Sequence, residues 1–163
     1  MKTAVVYYSL SGNTEYAVNI MQKELDADVI RLVPKKEYPR KGLRKFFHGG
    51  KDASFERAPE LLPYDFNAAK YDSVVLATPV WASNITPPMR TFVNENREAL
   101  TGKKLCLLMC FLGGGADKAS AKLKELLGVK KFSAELILID PLKKPLQEKD
   151  DDIKEFCALI QSR

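Results

Sequence analysis

The sequence is poor in the residues that most often carry metal or nucleophile chemistry. It has one histidine, three cysteines and one tryptophan in 163 residues. Three cysteines cannot all pair, and none shows zinc-ligand spacing. Cys106 and Cys110 stand four apart on a predicted strand, so they share a face. At ~3.3 Å per residue they lie ~13 Å apart, beyond the ~7 Å reach of a disulfide. Buried free thiols in a reducing compartment are the expectation. No apolar run approaches the ~20 residues that span a bilayer. The opening Met1-Lys2-Thr3-Ala4-Val5-Val6 leads into Tyr7-Tyr8-Ser9 with no signal-type cleavage site, which predicts a strand and a cytoplasmic protein. With 45% hydrophobic and 29% charged residues the composition is that of a globular domain, which excludes collagen, coiled coil and wholesale disorder. The length fits one domain over 1–163.

The net charge of +5 is concentrated in one segment. Between residues 34 and 58, Lys35, Lys36, Arg40, Lys41, Arg44, Lys45, Lys51 and Arg57 face only Glu37, Asp52 and Glu56, and the rest of the chain balances. Such a patch could steer an acidic partner or an anionic substrate. It equally fits a solvated amphipathic helix whose apolar face is Leu43, Phe46 and Phe47. No nucleic-acid module accompanies it, so neither nucleic acid nor membrane is expected as a partner.

Short β-branched and apolar runs at 3–8, 28–33, 73–78, 104–111 and 132–139 read as strands. Helical spacing follows at 14–25, from Pro87-Pro88 through Met89, Phe92 and Val93, at 116–127 and at 150–160. Proline suits the first helical turn, whose amides have no intrahelical partner. The connection between residues 34 and 70 holds one short helix. Near-continuous apolar strands alternating with helices predict an α/β fold: a doubly wound, five-stranded parallel sheet, order 2-1-3-4-5, with helices on both faces. The ligand crevice of such a sheet lies at the carboxyl ends of strands one and three.

The loop after strand one is Ser9-Leu10-Ser11-Gly12-Asn13-Thr14. It gathers hydroxyls, an amide and a glycine where helix amides and dipole favour an anion. It is neither a Walker loop nor Gly-x-Gly-x-x-Gly. A phosphate cradle and an N-capping turn built on Ser11 or Asn13 are both open. Strand, Ser-x-Ser-Gly-Asn-Thr, helix resembles the flavodoxin fingerprint that holds the phosphate of FMN. Ala77-Thr78-Pro79-Val80-Trp81 with Pro87-Pro88-Met89-Arg90-Thr91-Phe92 is similar to the flavin-ring loop and following helix of that family. Phe111-Leu112-Gly113-Gly114-Gly115 is similar to the loop on the far side of the ring.

The resemblance covers the chain in order. It implies FMN as cofactor, with Ser9, Ser11, Gly12, Asn13 and Thr14 at the phosphate. Thr78, Pro79, Val80, Trp81, Ala82 and Asn84 fall at one side of the ring, with Phe111, Gly113 and Gly114 at the other. It further implies electron transfer, with a redox partner protein or a small-molecule acceptor. Two features depart from well-studied carriers: the isoelectric point near 9.0, and a ring loop, residues 79–84, without glycine. Thr-Pro-Val-Trp also resembles flavodoxin-like quinone reductases, so an FMN-dependent NAD(P)H oxidoreductase is the alternative. There the basic segment would take a pyridine-nucleotide phosphate. His48 could donate a proton to a substrate, or simply be a solvated loop residue. Asp150-Asp151-Asp152 suits the start of the last helix.

Overall fold

The computed structural model describes residues 1–39, 44–143 and 147–162. Arg40, Lys41 and Leu43 lie outside them, as do the side chains of Arg44, Lys45, Phe46, Phe47 and His48. The strands are β1 (Thr3–Tyr7), β2 (Asp28–Arg31), β3 (Ser73–Trp81), β4 (Asn84–Ile85), β5 (Lys104–Phe111) and β6 (Ala134–Ile139). The helices are α1 (Asn13–Leu25), α2 (Arg44–Ser54), α3 (Pro87–Leu100), α4 (Ala116–Leu127) and α5 (Gln147–Gln161), with a 3-10 turn at Ala68–Lys70. Five strands run parallel in the order β2-β1-β3-β5-β6, and β4 pairs antiparallel with the end of β3. Setting β4 aside, this is the expected doubly wound order.

Alternation along each central strand produces two apolar layers. Ala4 and Val6 of β1, Val74 and Leu76 of β3, and Leu105, Leu107 and Met109 of β5 face α3 and α4, against Met89, Phe92 and Leu123. The intervening Val5, Val75, Cys106, Leu108 and Cys110 face α1 and α5, against Val18, Met21, Ile153 and Phe156. A period of two on strands buried from both sides is what puts apolar residues at nearly every position. Cys106 and Cys110 do share a face, and all three cysteines are free and buried. The short edge strand β2 is flanked by ion pairs, Lys2–Asp28 at 3.0 Å and Arg31–Glu15 at 2.9 Å, charges that discourage edge-to-edge pairing. Among the described residues no helix is long and apolar enough to cross a membrane.

The register brings the carboxyl ends of the central strands level. Tyr7 pairs with Ala77, and Pro79 with Cys110. The loops after β1, β3 and β5 therefore open on the same end of the sheet.

Candidate functional site: a crevice at the strand ends

The loop after β1 turns into α1 through Gly12, the N-cap, at φ +94°. The Gly12 N–H donates to Ser9 Oγ at 3.2 Å. No side chain caps the helix, so the capping turn built on Ser11 or Asn13 does not form. Thr14, in the first turn, is fully buried, and its Oγ1 has no hydrogen-bond partner. The sulfur of Cys110 stands beside it, a weak acceptor toward which the Thr14 hydroxyl can point. Burial pushes that thiol up to about 12, so it is neutral at pH 7. A buried hydroxyl without a partner is costly, of order 1–3 kcal/mol, and calls for an explanation, as does that of Ser73 at the other end of the sheet.

β3 does not end at Thr78 but runs to Trp81 and folds back through Ala82 and Ser83 into β4. Trp81 pairs with Asn84 and Val80 with Ile85, leaving a two-residue hairpin loop. Both loop residues are left-handed, Ala82 at φ 49° and Ser83 at φ 57°. This is the type I′ pattern that Asn-Gly or Gly-Gly normally supplies, so Ala82 carries strain that a glycine would not. Replacing the exposed Ala82 by glycine is expected to be neutral to stabilising, by up to ~1 kcal/mol, or roughly 2–4 °C in the thermal midpoint. A clear drop in the melt would mean that the Ala82 methyl group is needed here.

Three elements close around this hairpin. Gly115, at φ +86°, lies against Ser83, whose Cα is 2.9 Å from where a Gly115 Cβ would be. From the other side α2 approaches so closely that a Cβ on Gly49 would stand 2.9 Å from the Trp81 ring. Tyr8 and Tyr38 meet Trp81 edge-on, at 5.7 and 5.2 Å between ring centroids. Burial, reinforced by Asp52, raises the Tyr38 hydroxyl above its ordinary range and keeps it neutral.

Between these walls lies a crevice of about 340 Å³, within the ~300–1,000 Å³ usual for ligand sites. Ser11 and Asn13 stand at the α1 end, with Pro79, Val80, Trp81 and Ala82 on one side and Phe111, Gly113 and Gly114 on the other. Leu10, Gly50, Cys110 and Leu112 complete the lining. A second cavity, of about 270 Å³, adjoins it across Leu10 and includes Ser9.

Not every residue singled out from the sequence reaches the crevice. Thr78 is buried, its Oγ1 bonded to Thr86 Oγ1 at 2.9 Å. Asn84 is buried, and its amide is fully used: Nδ2 donates to Ala53 O at 3.0 Å, while Oδ1 accepts from Arg90 Nη2 at 2.9 Å and from the Ile85 N–H at 3.0 Å. Asn84 therefore fixes the hairpin to α2 and α3 from behind. The Asn13 amide is turned toward the loop after β6, donating to Asp140 Oδ1 at 3.0 Å. Sequence reasoning missed α2 as a wall; the signal available was Gly49-Gly50, two glycines inside a basic helix.

The structure is similar to the flavoprotein of Lactobacillus acidophilus solved in complex with FMN, at 17% identity and TM-score 0.69 over 86% of this chain and 93% of that one. A protein of Bacteroides uniformis assigned as a flavoprotein aligns at 18% identity and TM-score 0.74 over 96% and 97% of the two chains. Two-electron reduced Megasphaera elsdenii flavodoxin aligns at 17% identity and TM-score 0.59 over 96% and 98%. At these identities the likeness is one of fold. No curated protein matches the sequence. Residues 56–147, more than half of the chain, match the flavodoxin domain in sequence, and the chain belongs to the flavodoxin family.

Proposed function

We propose that the crevice binds one FMN non-covalently and that the protein transfers electrons in the cytoplasm. The carrying observation is the first turn of α1: no side chain caps it, and within it the buried hydroxyl of Thr14 has, among the described residues, no hydrogen-bond partner better than the neighbouring Cys110 sulfur. A phosphate monoester fits that donor set, since helix amides and a hydroxyl suit an anion in the absence of a basic side chain. The amides of Ser11, Asn13 and Thr14 with the hydroxyls of Ser11 and Thr14 would hold the phosphate, while the Gly12 N–H stays on Ser9 Oγ. Trp81, Pro79, Val80 and Phe111 would take the flavin ring, and Gly113 and Gly114 would admit its edge to close backbone contact.

Reversible electron acceptance is the chemistry that FMN supplies when bound. The chain's own part is orientation and exclusion of water. Tyr8, Tyr38 and Gly49 hold Trp81 in one position, and the contact of Gly115 with Ser83 braces the far loop against the hairpin.

The partner is argued from charge. Gly49 and Gly50 of α2 stand at the ring loop and the crevice, and the sequence between residues 34 and 58 carries the basic excess, so a carrier would meet an acidic redox partner. An NAD(P)H oxidoreductase acting on quinones is the second reading, favoured by the glycine-free hairpin and by the adjoining cavity at Ser9 and Leu10. Charge steering acts on association rate and is screened over ~10 Å at 0.1 M salt. For a carrier, electron transfer slows as ionic strength rises, and NAD(P)H alone gives little turnover. Rapid NAD(P)H oxidation with a quinone and no added reductase, insensitive to salt, would replace the carrier reading with the enzyme.

A further inference from the structure

One side chain stitches the loop after β1 to the loop after β6. Asn13 Nδ2 donates to Asp140 Oδ1 at 3.0 Å, and the Leu142 N–H donates to Asn13 Oδ1 at 3.0 Å. Leu142 then lies over Gly12, with Cδ1 2.9 Å from where a Cβ would stand. Asp140 takes φ +40°, a left-handed conformation that few residues other than glycine adopt. Leu142 remains 43% exposed, so burial of its side chain is not what holds the strap.

The Asp140 carboxylate is ionised. Its hydrogen bond from Asn13, followed by Lys143, holds its pKa below the usual carboxylate range. Among the described residues, the cations facing it are Lys143, with Nζ 3.3 Å from Oδ2, and Lys149 on α5. An ionised carboxylate, partly balanced by Lys143, is thus bonded to Asn13 in the first turn of α1, one residue before Thr14.

We propose that Asp140 is a built-in competitor for the cofactor phosphate. Its carboxylate holds the Asn13 side-chain N–H and sets a like charge against the incoming anion, which lowers the crevice's preference for phosphorylated over unphosphorylated flavin. The inference rests on the FMN reading above. Phosphate and carboxylate are both anionic acceptors for the same amide donor, so the stronger either one binds there, the less the other can. Riboflavin carries no phosphate and is indifferent to the contest. Asp140 is in this sense a specificity-determining residue that need not touch the flavin ring.

The test uses the apo form of the full chain and two variants. Asp140→Asn keeps an acceptor for Asn13 and removes the charge; Asp140→Gly removes both. Asparagine and glycine tolerate a positive φ better than other residues, so both variants are expected to fold, which a thermal melt checks. Each form is titrated with FMN and with riboflavin by flavin fluorescence. Asp140→Asn is expected to bind FMN roughly three- to thirtyfold more tightly, the scale of one like-charge contact near a protein surface, with riboflavin within about twofold of wild type. If wild type binds FMN and Asp140→Asn binds it no better, the proposal fails while the FMN reading stands. Equal gains for FMN and riboflavin, or a gain in Asp140→Gly alone, would overturn it as well, because the strap and not the charge would be the obstacle. If neither flavin saturates any of the three forms, the FMN reading falls and takes the proposal with it.

Discussion

Thr14→Val is expected to stabilise the apo protein by about 1 kcal/mol while weakening FMN roughly ten- to hundredfold and leaving riboflavin nearly unchanged. Valine preserves the shape of threonine and removes a hydroxyl that is fully buried and has no partner. Deleting an unsatisfied buried polar group is favourable, whereas a hydrogen bond to a charged phosphate is worth about 1.5–3 kcal/mol. The two effects have opposite signs because one residue serves two states. In a chain of this size 1 kcal/mol is about 2–4 °C in the thermal midpoint. Calorimetry of the apo protein and paired flavin titrations read both. A loss of apo stability would mean that the hydroxyl already has a partner. Equal losses for FMN and riboflavin would place the phosphate elsewhere.

Asn84→Ala is expected to cost about 2–4 kcal/mol, since it removes a hydrogen bond to a charged group and leaves a buried N–H unpaired. It would lower the midpoint by ~10 °C. Arg90 is 7% exposed, and among the described residues its guanidinium keeps only Glu56, at 3.5 Å, without Asn84 Oδ1. The Ile85 N–H loses its acceptor at the same time, and the Ala53 carbonyl is left with the Glu56 N–H alone, at 3.1 Å. Since these bonds tie the hairpin to α2 and α3, flavin affinity should fall with stability. Asn84→Asp restores an acceptor for Arg90 but not a donor for Ala53, and should recover part of the loss. A change under ~1 kcal/mol by urea denaturation would show that the cluster is dispensable.

The parts of this molecule that could be read from its sequence are those with local physical causes. Runs such as Val74-Val75-Leu76 are apolar at successive positions because both faces of the strand are covered, and that pattern marks β1, β3 and β5 without tertiary information. The loop at 9–14 stands out because glycine and hydroxyls cluster between a strand and a helix. β4 was not legible. It is two residues long, and its hairpin turn uses Ala82 and Ser83 where glycine or asparagine would have announced it. Likewise Asn84 and Thr78 align with a ring loop, yet their side chains turn into the protein and are spent on Arg90, Ala53 and Thr86. The bond between Asn13 and Asp140 joins residues 127 apart, and no periodicity or spacing encodes such a contact. Gly49 and Gly50 lie in the short helix expected in the connection, and only the packed structure shows them against Trp81 and the crevice.

The central claim is that the crevice between the 79–84 hairpin and the 111–115 loop holds FMN. The chain has one tryptophan, Trp81, and it lines that crevice. Titrating the apo protein with FMN while following tryptophan emission therefore reports on this site alone. Quenching is expected to saturate at one FMN per chain, with a yellow protein retained after gel filtration. Unchanged Trp81 emission, with all of the flavin eluting free of protein, would contradict it.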